Sequence, residues 1–91
     1  MQGKHVVITG KGEDEALLYT TGGQLDVDGD VIAIDGTQSK YAAEVNGGSM
    51  TIGHDGTHGM IKGDLENYGS MKIFLNGADS VMDGNIEDWA L

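Results

Sequence analysis

The stretch NGGSMTI, Asn46–Ile52, has two near-copies in the same chain, TGGQLDV at Thr21–Val27 and NYGSMKI at Asn67–Ile73. Gly48 recurs as Gly23 and Gly69, so the repeat has a longer offset of 25 and a shorter one of 21. After each glycine the order is polar, apolar, polar, apolar. That order puts Leu25, Met50 and Met71 in one column and Val27, Ile52 and Ile73 in the next. HVVI, at His5–Ile8, reads as a degenerate first copy that adds Val6 and Ile8 to the same columns. Self-similarity at a fixed period outranks local propensity, because a unit of this size buries its apolar stripe only by stacking on its neighbours.

The flanking segments repeat at the same offsets. EALLYTTGG, Glu15–Gly23, matches KYAAEVNGG, Lys40–Gly48, at the longer offset. MIKGDLEN, Met60–Asn67, matches VMDGNIED, Val81–Asp88, at the shorter one, which sets Ile61 over Met82 and Leu65 over Ile86. IAIDG, Ile32–Gly36, supplies the earlier copy with Ile34 in the Ile61 column. Each period therefore holds about three short strands that alternate apolar and polar residues, as a half-buried sheet requires. The expected fold is all-β, a β-solenoid, specifically a right-handed parallel β-helix of about four coils over residues 1–20, 21–45, 46–66 and 67–91. At about 4.8 Å per coil the stack is roughly 20 Å tall. A small antiparallel sandwich or barrel is the competing fold, but it has no need to repeat the same side chains at these intervals. Only EDEALLY has helical potential, and its copy KYAAEVN leads into a strand.

Composition narrows the function. The 91 residues make one small domain or part of a longer one, with no cysteine for disulfides or thiolate metal sites. Sixteen glycines and no proline place tight turns between apolar doublets rather than a flexible linker. Five lysines, no arginine and fifteen acids give a formal charge of −10, which repels nucleic acid and anionic membrane surfaces. No apolar run approaches the roughly 20 residues that span a bilayer, and the N-terminus lacks a secretory signal core.

The phrase GDLENYGSMKIFLNGADSVMDGNIEDW, Gly63–Trp89, resembles the passenger domains of Gram-negative autotransporters, the pertactin-like β-helices. The residues that carry the likeness are Gly69, Met71, Ile73, Leu75, Gly77, Ala78, Ser80, Gly84 and Ile86. Met82 departs from it, lying where many members have tryptophan. The resemblance extends over Gly22–Trp89 and loosely over the segment before it. It implies export, an extracellular or cell-surface location, and a piece of a longer stalk.

Candidate chemistry is sparse. In LDVDGDVIAIDG, Leu25–Gly36, the alternate acids Asp26, Asp28 and Asp30 suggest weak calcium binding. Counted from Asp26, however, the glycine and glutamate that an EF-hand needs at positions 6 and 12 are Val31 and Thr37. The acids then read as the polar half of a strand alternation, with Asp30 at a turn. His54 and His58, with Asp55, sit among glycines and read as solvated loop residues rather than a preset zinc pair. Met50, Met71, Met60 and Met82 read as inward packing. Trp89 and Tyr68 read as covering the final coil or closing its last turn, and no coil carries an outward Thr-x-Thr ladder.

Polysaccharide-cleaving enzymes also use parallel β-helices, but they need a proton-abstracting base or carboxylates at set separations. No such set is legible here, so no catalytic residue, cofactor or metal ligand is assigned. The expected role is a non-enzymatic structural or adhesin-type segment of a bacterial surface or secreted protein, with partners at its lateral face or at the 37–41 and 54–58 loops. The alternative is a self-assembling module that pairs end to end through exposed strand edges.

Overall fold

A computed structural model describes residues 4–89. Among the described residues the chain forms eleven strands and no helix. They are β1 (His5–Thr9), β2 (Gly12–Thr20), β3 (Gln24–Val27), β4 (Val31–Asp35), β5 (Ser39–Val45) and β6 (Ser49–Gly53). β7 (His58–Lys62), β8 (Leu65–Asn67), β9 (Ser70–Phe74), β10 (Val81–Asp83) and β11 (Ile86–Asp88) follow. Every third strand pairs in parallel, giving sheets β1-β4-β7-β10, β2-β5-β8-β11 and β3-β6-β9. The architecture is a β-solenoid: three complete three-stranded turns and two strands of a fourth.

The registers follow the repeat. Leu25 pairs with Met50 and Met50 with Met71; Val27, Ile52 and Ile73 stack in the same way. Ala16 pairs with Tyr41 and Leu18 with Ala43, at the longer offset. Ile34 pairs with Ile61, Ile61 with Met82, and Leu65 with Ile86. Strand alternation turns these columns inward, the Ala16–Tyr41 pair excepted, and Ile32, Ile34, Val45, Met50 and Ile52 are completely buried. Burial is deepest in the second and third turns, because each of those has a neighbour on both sides.

The glycine column is also observed. Gly23 and Gly48 adopt left-handed φ values of 73° and 76°. This lets Ser49 N–H reach Gly23 O at 2.8 Å and Ser70 N–H reach Gly48 O at 3.1 Å. A side chain on Gly48 would meet the backbone of the turn below, with Gly23 O only 2.5 Å from the added carbon. Close approach and handedness both demand glycine there.

Two expectations need correction. HVVI does not extend the Leu25 columns, because β1 pairs with β4 and so sets Val6 on Ile32 and Ile8 on Ile34. Period-2 alternation is the same on all three faces, so it cannot say which face a strand belongs to. Met60 is not inward either. It pairs with Ala33 and Val81, while its neighbour Ile61 takes the core position beside Met82. Met60 thus joins an outward apolar stripe, Val7–Ala33–Met60–Val81, that climbs the first sheet.

The last turn leaves the core open. A recess of about 210 Å³ is lined by Leu65, Asn67, Met71, Ile73, Met82, Ile86 and Asp88. Trp89 stacks against Tyr68 with ring centroids 6.3 Å apart, and neither ring lines that recess.

Candidate functional site

The turn between β3 and β4 holds Asp28 and Asp30, and the turn after β6 lies one coil above it. The longer offset sets His54 at the level of Gly29, between those two acids. The imidazole fills that gap: Nδ1 lies 2.6 Å from an Asp28 carboxylate oxygen and Nε2 lies 3.0 Å from one of Asp30. The other Asp30 oxygen accepts the Lys4 N–H at 3.0 Å. The hydrogen bond to Asp28 raises the His54 pKa above its ordinary value, with the charges of Asp28 and Asp30 adding to it. The same bond lowers the Asp28 pKa. Each favours the charged form of the other, so the imidazolium is a clasp between two carboxylates on the turn below.

Thr57 anchors this corner from inside. Completely buried, it accepts the His54 N–H at 2.9 Å and donates its hydroxyl to Gly29 O at 2.9 Å. The clasp occupies both imidazole nitrogens, which leaves none to abstract a proton. Asp28 and Asp30 meet opposite edges of the ring and do not converge on one point. Asp26 bonds instead to the Gln24 side chain. Among the described residues, no group of three or more His, Asp or Glu side chains is arranged to hold a metal ion.

His58 is held apart from His54, with Nδ1 2.8 Å from Ala78 O in the turn above. Asp55 accepts from Asn76 Nδ2 at 2.6 Å, again across one turn. The loop histidines and Asp55 are therefore ordered by coil-to-coil bonds, where the sequence suggests free solvated residues. The two repeat offsets, applied to the polar positions as well as the apolar ones, are the signal that locates these contacts.

A second polar column runs up the middle sheet. Glu44 pairs with Glu66 and Glu66 with Glu87, so three carboxylates stand one above another. Tyr41 donates to Glu66 at 3.1 Å and Tyr68 donates to the same oxygen at 3.4 Å. Burial first, and then the Glu66 bond and charge, push the Tyr41 hydroxyl up to about 12; Tyr68 is raised by burial and by Glu66 too. These two donors offset part of the repulsion in the stack. At the inner edge, Asn67 donates to Asp88 at 3.2 Å and accepts from Gly69 N–H at 2.9 Å.

Comparison with known proteins gave no matching family model, no matching curated protein and no matching solved structure. Among the described residues, no helix is long and apolar enough to cross a membrane.

Proposed function

We propose that the chain is a rigid structural segment, a β-solenoid spacer in a bacterial surface or secreted protein, acting by shape and not by turnover. One observation carries this reading: the polar side chains bond from turn to turn instead of converging on a point. Gln24 with Thr51, Asp28 with His54, Tyr41 with Glu66, Asp55 with Asn76 and Asn67 with Asp88 all join positions about one coil apart in sequence. Polar groups spent this way add cross-links to the backbone ladders and stiffen the stack. The likeness of Gly63–Trp89 to autotransporter passengers supports an extracellular or cell-surface location, where a stalk of this kind would hold other parts at a distance. Its partners would then be itself or a surface ligand, with neither nucleic acid nor membrane insertion.

The test is a distance measurement. Dyes on Val7→Cys and Asp83→Cys, in the first and last turns, are expected to report one narrow distance that persists until a single cooperative unfolding step. A broad distribution in the absence of denaturant would refute the spacer. So would saturable ligand binding or turnover that a lateral substitution abolishes without loss of stability.

A further inference from the structure

The outward stripe Val7–Ala33–Met60–Val81 runs up the flank of the solenoid, where a further turn above or below would leave it in place. Val7 and Val81 are 74% and 50% exposed, and Ala33 and Met60 are half-buried. Two columns of the same face border it. On one side stand His5, Val31 and His58, with Asp79 in the turn before β10; on the other stand Thr9, Asp35, Lys62 and Asp83. Three of the chain's fifteen acids, Asp35, Asp79 and Asp83, thus lie on this face, interspersed with Lys62, His5 and His58. Glu13, Asp14 and Glu15 belong to β2, and Glu44, Glu66 and Glu87 to β5, β8 and β11, on the next face of the solenoid. A chain of formal charge −10 repels its copies least along such a mixed face.

We propose that this face joins two copies of the chain side by side, related by a two-fold axis parallel to the strands, so that the two stacks run in opposite directions. The spacer reading does not require this association and would survive its failure. The rotation sets the first turn on the copy's fourth and the second on its third. Val7 then faces the copy's Val81, and Ala33 faces its Met60, each contact occurring twice. In one bordering column Asp35 faces the copy's Lys62, again twice, and Thr9 faces its Asp83. In the other, Val31 faces the copy's His58, and His5 faces its Asp79. At the rims Lys4 and Lys11 fall toward the copy's Ser80 and Asn85, and Asp30 and Asp64 toward its Thr57 and Thr37. Apolar meets apolar, and no like-signed pair arises.

The charges choose this axis. A two-fold axis along the stack would exchange the bordering columns, setting Asp79 on the copy's Asp83, His58 on its Lys62 and Val31 on its Asp35. Like charges and a carboxylate against a valine weigh against that seating. Four strands at about 4.8 Å and five residues at about 3.3 Å make a face of roughly 300 Å² per copy. A standard stable interface buries about 800 Å² per partner. The pair is therefore transient, formed in concentrated solution and lost on dilution.

Sedimentation equilibrium over a concentration series up to about 1 mM is expected to show monomer passing to dimer and stopping there, because a two-fold contact uses the face up. Asp35→Lys and Lys62→Asp each set two like-charged pairs across the joint. Each variant alone is expected to self-associate about tenfold more weakly than wild type, although Asp35→Lys brings the formal charge nearer zero. Mixed in equal amounts, the two variants restore both opposite-charge pairs and are expected to recover the wild-type affinity. Met60→Asp, in samples that keep the wild-type circular dichroism spectrum, is expected to abolish the dimer. A mixture that associates no better than its parents would overturn the seating. Mass that keeps growing beyond the dimer, or a dimer untouched by Met60→Asp, would overturn the choice of face. Monomer throughout the series would overturn the association itself.

Discussion

Replacing Gly48 with alanine, and separately Gly23 with alanine, isolates the energy of contact between successive turns. Both residues have nearly the same left-handed φ, 76° and 73°. Each substitution therefore carries the same conformational penalty of about 1–2 kcal/mol. They differ in what the new methyl group meets. At Gly23 nothing lies within 4 Å of it, while at Gly48 three backbone atoms of Gly22 and Gly23 lie at 2.5–2.7 Å. Ordinary carbon contacts fall at about 3.5–4.0 Å, so the turns must part by about 1 Å at this corner. That movement stretches the Ser49–Gly23 bond, now 2.8 Å, and the Asn46–Thr20 bond beside it, also 2.8 Å. Two weakened backbone bonds add about 2 kcal/mol. Gly23→Ala is expected to lose about 1–2 kcal/mol and Gly48→Ala about 3–4 kcal/mol, measured by urea unfolding followed by far-UV circular dichroism. A chain of this length has roughly 5–14 kcal/mol in total, so the second variant should fold but only narrowly. Equal losses at the two sites would refute the argument that inter-turn spacing, and not local handedness, dictates glycine at position 48.

Ile34→Ala, in the fully buried column between Ile8 and Ile61, is expected to cost about 2–5 kcal/mol by the same assay, and a loss below about 1 kcal/mol would contradict the core assignment. The His54 clasp makes stability depend on pH with a defined sign. Because its folded pKa is raised, the His54 contribution is complete below about 6.5 and fades as pH rises through the raised value. Asp28 has a lowered folded pKa, so its contribution is complete above about 3.9 and fades as pH falls through the lowered value. The gap in unfolding midpoint between wild type and His54→Asn should therefore be widest at about pH 5–6 and close at alkaline pH; a pH-independent gap would refute the clasp. Glu66→Gln is expected to lower the Tyr41 titration from about 12 without restoring the ordinary value, since burial remains, as followed by phenolate absorbance. An unchanged titration would remove Glu66 from the account.

The columns of Leu25, Met50 and Met71, of Val27, Ile52 and Ile73, and of Ile34 and Ile61 are legible from spacing alone. A repeat converts sequence distance directly into vertical neighbours. What spacing leaves open is the identity of each face. β1 carries the same alternation as β3, and only pairing reveals that its partner is β4. Met60 and Ile61 are adjacent apolar residues, so the inward one is chosen by the register with Ile34. The clasp is hidden because His54 and Asp28 belong to different turns and resemble no local motif. Its rule is the solenoid offset itself, which acts on polar side chains as firmly as on apolar ones.

The all-parallel pairing has a kinetic consequence. No strand can find its partner through a tight hairpin; each first contact closes a loop as long as a whole coil. A ladder with partners about 25 positions apart in a chain of 91 has a relative contact order of about 0.27, beyond the roughly 0.16–0.22 of slow β-sandwiches. The loop entropy is spent before the first column of side chains repays it. Folding should then be slow to begin and quick to spread, starting where β4 meets β7 and β5 meets β8, where core residues are sealed from both sides. A chain that emerges N-terminus first through a pore or a ribosome leaves each new turn without its following neighbour until the next has come out behind it.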